Sequence, residues 1–155
     1  MKFYDWRTNH LILDGVLVTG YAAGDDVLGI ERQVDSATSE VGADGRMTLS
    51  LHADKSIKVT LKLAQTSPMN AMLSIKCAAQ DVLEGFAPLV ASWKDSYRND
   101  SMQTTVGYVE KFAAIKRGTK ANDTEWTMIF ERGDLLLGNP AFAGLLTAAS
   151  EALGG

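Results

Sequence analysis

Few residues in this chain have the type and spacing for covalent or metal chemistry. The histidines are His10 and His52, and neither has a His or Cys neighbour at metal-ligand spacing. His52 and Asp54 fall on one face of an extended stretch, which gives two ligands where a site needs more. The single cysteine, Cys77, lies inside a helical pattern, away from the N-terminal end that would activate a thiolate. It reads as a small apolar residue. Asp25 and Asp26 follow Gly24 and have the form of a solvated turn rather than a working carboxylate pair. Lys116, Arg117 and Lys120 form a short basic connector. No Gly-rich phosphate loop, zinc-protease helix or nucleophile elbow is present in the sequence. The expectation is a protein that is not an enzyme and takes no cofactor or metal.

Composition agrees with that reading. A length of 155 residues with 46% apolar content supports one core, so residues 1–155 are expected to form a single domain. Lys plus Arg is 15 against 19 for Asp plus Glu, a net charge of −4. A duplex-DNA reader would carry a basic face instead. One cysteine gives no internal disulfide framework. The apolar runs are too short for a membrane span or a signal-peptide core, so the expectation is a soluble chain kept in a cytoplasm, with no membrane partner.

The elements that must position any functional surface are mostly strands. Residues 10–13 and 16–19 flank Asp14-Gly15, which predicts a hairpin with a type I′ turn. A third strand is predicted over 27–34. Residues 35–54 read as a long hairpin or flap turning at Asp44-Gly45, with Met47, Leu49 and Leu51 alternating with polar residues. Ile57, Val59, Leu61 and Leu63 alternate with Lys58, Thr60 and Lys62, a strand with one buried and one wet face. Ser67-Pro68 then starts a helix, with Ser67 as cap, Pro68 in the first turn and Gly85 as the stop. Strands are predicted over 89–93, 103–115 and 124–131, joined by polar turns at 97–101 and 116–123. Residues 140–153 read as a short Ala/Leu helix before Gly154-Gly155. The fold class expected is mainly β: an antiparallel β-sandwich or barrel with one internal α-helix and a short C-terminal helix.

Two segments carry apolar side chains with no evident cover. One is the N-terminal arm, residues 1–8, with Phe3, Tyr4 and Trp6. The other is the flap, with Val41, Gly42, Ala43, Asp44 and Gly45 at its turn and Met47, Leu49 and Leu51 behind it. Self-packing and packing on a neighbour both remain open for each.

The order of several pieces resembles phage tail tube proteins, particularly those of contractile-tailed phages. The pieces are Gly29-Ile30-Glu31-Arg32, the Val41-Gly42-Ala43-Asp44-Gly45 turn, and the alternating strand that runs into Gln65-Thr66-Ser67-Pro68-Met69-Asn70. The Glu125-Trp126-Thr127 strand and Tyr4-Asp5 with its following hairpin also fit. The likeness spans residues 4–132, and the tail, residues 133–155, corresponds to nothing in the pattern. The resemblance implies six copies closing a ring, their sheets merging into an inner barrel, and rings stacking into a hollow tube that conducts the genome during infection. It also implies a contractile sheath outside, with baseplate, tape-measure and terminator proteins as further partners. The place implied is the tail of the virion, assembled in the bacterial host cytoplasm. Tubes of non-phage contractile injection systems share this architecture.

On that reading the arm and flap are expected at subunit or ring contacts. Six copies at −4 each carry −24, which would repel phosphates and let genomic DNA pass without specific binding. Glu31, Asp35, Glu40 and Asp44 are the candidate lumen-facing acids. Lys58 and Lys62 argue against their own strand face as the lumen. The runner-up is a monomeric β-sandwich ligand-binding module, which would need an exposed aromatic platform such as Trp93, Tyr97 and Tyr108.

Overall fold

The computed structural model describes residues 4–82 and 88–138. Phe3, the helix stop at Gly85 and the helix expected over 140–153 lie outside the described residues.

The chain opens with a short 3-10 turn, Trp6–Thr8, and then forms β1 (Asn9–Leu13), β2 (Val16–Leu17) and β3 (Leu28–Arg32). Next come β4 (Ala37–Val41), β5 (Met47–Leu51), β6 (Ile57–Leu63) and the helix α1 (Met69–Val82). The last strands are β7 (Ala91–Asp95), β8 (Asp100–Thr104), β9 (Gly107–Lys111), β10 (Thr124–Phe130) and β11 (Gly133–Leu136). They make a five-stranded sheet ordered β11-β8-β7-β1-β2, a four-stranded sheet ordered β3-β6-β10-β9, and a separate ribbon of β4 and β5. Every pairing between them is antiparallel. The sheets stay open and do not close into a barrel, so of the two architectures expected, the sandwich is the one formed.

Alternation explains most of this. On β6 every odd residue from Ile57 to Leu63 is buried and every even one is half-exposed. Its register sets Leu61 against Trp126, Val59 against Met128 and Ile57 against Phe130. These side chains meet Leu11, Leu13 and Met102 of the five-stranded sheet in one core. The first hairpin turns as its sequence requires, with φ of 49° at Asp14 and 81° at Gly15. Ser67 caps α1, its Oγ accepting from the Met69 amide at 3.3 Å. Asn70 fixes the helix start: its Oδ1 accepts from Trp126 Nε1 at 3.0 Å and Thr124 Oγ1 at 2.6 Å.

Two expectations fail at one place. Residues 103–115 are two strands in different sheets, and residues 133–136, read as tail, are a strand. Both β8–β9 and β10–β11 cross between sheets side by side. Backbone bonds from Thr105 to Arg132 and from Glu131 to Val106 hold the crossing. Apolar alternation continues through such a corner, which is why it reads as one strand. The glycines mark it. A Cβ on Gly107 would lie 2.4 Å from the Ile129 carbonyl oxygen, and one on Gly133 would lie 2.4 Å from Ile57.

Candidate assembly surface

The β4–β5 ribbon is a flap with two chemically different faces. Its register pairs Ala37 with Leu51, Ser39 with Leu49 and Val41 with Met47. Those six residues share one face, while Thr38, Glu40, Thr48 and Ser50 share the other. The tip is a tight loop. The Gly45 amide donates to the Gly42 carbonyl, the Gly42 amide donates to Arg46, and Gly45 takes φ of 84°. Asp44 serves that loop, accepting from the Arg46 amide at 3.1 Å. The apolar face is bare in the single chain: Met47 is 65% exposed, Leu49 61% and Leu51 78%. A ribbon of this kind is marginal by itself in water.

The arm divides. Trp6 packs edge-on against Tyr21 of its own chain, ring centroids 4.9 Å apart. Burial pushes the Tyr21 hydroxyl up to about 12. Asp5 anchors the turn by accepting from the Arg7 amide and guanidinium, and those bonds hold its carboxyl below the ordinary range. Thr8 donates to the buried Asp95 carboxylate at 2.7 Å. Tyr4 alone of the described arm aromatics is largely exposed.

The two sides of the sandwich differ. On one side α1 bridges the sheets. Lys76 Nζ lies 2.5 Å from Asp14 at the first hairpin turn, and the Gln80 amide bonds the Val109 N–H and C=O at 2.7 and 2.9 Å. The Gln80 amide thus mimics a strand neighbour for β9. Leu89 does the same for Gly107 with two backbone bonds. The opposite side is a seam with an apolar slot of about 320 Å³ between β3 and β11, lined by Trp6, Leu28, Ile30, Trp93, Leu135 and Leu137. Among the described residues β3 is an uncovered edge here. Bonds from Lys62 to Val27 and from Gln33 to Ser56 show that its odd residues face β6, so Leu28, Ile30 and Arg32 present backbone groups outward.

The candidate lumen acids do not share a surface. Glu31 lies on the outer face of the four-stranded sheet, opposite Lys58. Asp35 precedes the flap, Glu40 is on its polar face, and Asp44 is at its tip. On the sheet face the lysines are matched: Lys58 faces Glu31 and lies 4.0 Å from Glu110, and Lys62 faces Glu125. A groove of about 750 Å³ there carries Lys58, Lys111 and Lys116 beside Glu110, Asp123 and Glu125. Such a face has no phosphate-gripping excess of charge. The aromatic trio also separates. Trp93 points inward, donating to Asn9 at 3.2 Å, Tyr97 is in the turn before β8, and Tyr108 is on the outer face of the other sheet. They form no platform. Sequence reasoning missed the Gln80 clamp, the Asn70 hub and the Asp14–Lys76 tie, because each depends on a partner distant in sequence.

Residues 14–138 match the family described as the bacteriophage PhiTE tail tube protein. The chain belongs to this family of phage tail tube proteins. Its members are structural proteins of the tail, and the membership agrees with the resemblance read from the sequence. No curated protein sequence matches the chain. Among solved structures, the cryo-EM structure of the anti-feeding prophage cap, a tube-terminating cap, is similar with a TM-score of 0.58 at 8% identity. The likeness covers 89% of this chain and 93% of that one and shows a shared fold.

Proposed function

We propose that this chain is a non-enzymatic, self-assembling subunit of a phage tail tube. Six copies close a ring, and rings stack into a hollow conduit for the genome. The observation that carries the reading is the flap, whose Val41, Met47, Leu49 and Leu51 are bare on one face in the single chain. Neighbouring copies are the simplest cover for it, because a contact between unlike surfaces repeats into rings or rods.

The sheet edges support the ring. β3 is open on one edge of the four-stranded sheet. On the other edge β9 is closed at Gly107 and Val109 but runs on into residues 112–115, where Phe112 and Ile115 are exposed. Alternating strand directions make a join between β3 of one copy and that continuation in the next antiparallel, as the rest of the sheet is. The arm and flap are contact elements between subunits or successive rings. Glu31 and the flap acids contribute negative charge, and the net −4 per copy gives passing DNA nothing to hold. A contractile sheath, baseplate, tape-measure and terminator proteins are the expected partners, and the virion tail, assembled in the host cytoplasm, is the expected place.

Negative-stain microscopy of the purified full chain tests this. Rings or hollow rods are expected at high protein concentration. Uniform monomers across salt, pH and concentration would overturn the reading.

A further inference from the structure

The exposed face of α1 has no role in the contacts described so far. Met69, Leu73 and Cys77 face the core. Ala71, Ile75, Ala78 and Val82 are exposed, with Ile75 at 70% and Val82 at 80%. A spacing of four, three and four residues puts them in one narrow row along the helix, about 16 Å long. Ile75 and Val82 form a ridge, and Ala71 and Ala78 leave the helix open to close approach.

The opposite side of the sandwich carries a matching hollow. Leu28, Ile30, Leu135 and Leu137 line the apolar slot between β3 and β11, and Leu137 is 75% exposed. The sheet register puts ridge and slot at one height. Ile30 pairs with Val59, Val59 with Met128 and Met128 with Val109, so these four residues make one row across the four-stranded sheet. Gln80 of α1 holds the Val109 end of that row, and the slot lies at the Ile30 end. Both also lie in the layer between the two sheets. α1 puts Leu73 and Cys77 into the shared core, and the slot has walls from both sheets. Within one chain the fully buried Val59 and Met128 stand between them, so a ridge does not reach its own slot.

We propose that the α1 ridge of one copy docks in the slot of the next copy, with Ile75 and Val82 against Leu28, Ile30, Leu135 and Leu137. This inference rests on the self-assembly reading and adds a contact to it. Each chain carries one ridge and one slot at a single height on opposite sides, which is what a repeating contact between unlike surfaces needs. A helix row with anchors at these spacings, laid in an apolar groove, is a common docking mode. The contact also continues the sheet join proposed above. Residues 112–115 run on from β9, to which α1 is bound, and the slot is walled by β3. Pairing that run with β3 of the next copy therefore brings the α1 layer of the first beside the slot layer of the second.

The test is cross-linking in the full chain with Cys77→Ala as background. Chains carrying Ile75→Cys are mixed with chains carrying Leu137→Cys, assembled, and treated with a short bismaleimide. A heterodimer band on a denaturing gel is expected from the mixture, and a ladder from the double variant. Rings or tubes without that cross-link would overturn the docking and leave the tube reading standing. A cross-link within one chain would also overturn the docking, as would a homodimer band from Ile75→Cys alone, which would set two ridges face to face. A parent chain that stays monomeric in every condition would overturn both. As an independent arm, Ile75→Asp with Val82→Asp changes only exposed positions. Its urea unfolding should match the parent while its ring yield falls at least tenfold. An unchanged yield would overturn the docking, and so would loss of the fold, since the ridge would then belong to the chain's own core.

Discussion

Replacing Met47 and Leu49 by Asp separates an assembly role for the flap from a folding one. Both side chains are about two-thirds exposed in the single chain. Surface changes of this kind usually move stability by no more than about 0.5 kcal/mol. Fully burying a Leu or Met side chain contributes about 1.5–3 kcal/mol. The exposed share of these two side chains therefore amounts to about 2–4 kcal/mol per subunit contact. That is a loss of roughly 30-fold to 1,000-fold in contact affinity, before adding the cost of burying carboxylates. Urea unfolding of the variant should match the parent, while sedimentation and microscopy show assembly abolished at concentrations where the parent polymerises. The reasoning is refuted if the variant polymerises normally. It is equally refuted if the variant unfolds, because the flap would then be part of the chain's own core.

Three further outcomes follow from the interior. Asn70→Ala removes the acceptor of the buried Trp126 indole and of Thr124, and should lower unfolding free energy by about 2–4 kcal/mol in urea titrations. Gly107→Ala forces a methyl against the Ile129 carbonyl at the sheet corner, and should cost about 3 kcal/mol or more, seen as a lower thermal midpoint or insoluble expression. Tyr21 ionises near 12 when folded against its ordinary 10, so the unfolded chain loses its proton first and stability should fall between pH 10 and 12. The dependence should be absent below pH 10 from this group and flattened in Tyr21→Phe.

The parts of the fold legible in the sequence are those set by neighbours along the chain. The β6 alternation, the Asp14-Gly15 turn and the Ser67 cap each depend on a few consecutive residues, and each takes its expected form. The corner at Thr105 and Val106 was not legible, since the apolar period runs on while the strand changes sheet. Gly107 and Gly133 are the signal that was there to be read: isolated glycines inside strand patterns mark close backbone approach. The flap's apolar alternation was equally plain, but whether its own chain covers it is a tertiary fact. Trp6 shows the converse, because its place against Tyr21 could not come from the arm alone.

On the proposed ring reading, the two edges of the four-stranded sheet play different parts. A sheet open on both edges would extend with any copy it met. Here Gln80 and Leu89 occupy the outward backbone groups of Val109 and Gly107, so β9 is closed along its paired length. β3 is left open beside the apolar slot. One closed edge and one open edge give the sheet a direction. The described residues of a second copy offer β3 several edges, among them its own β3, the β2 and β11 edges of the other sheet, the ribbon strands and the short run past Lys111, and a side-by-side β3 pair would leave no β3 edge to continue a ring. Phe112, edge-on to Trp126 at 5.1 Å, and the buried Ala113 anchor the start of residues 112–115 in the single chain. On the proposed ring reading a join to β3 uses that stretch, because Gln80 on α1 already occupies the outward groups of Val109.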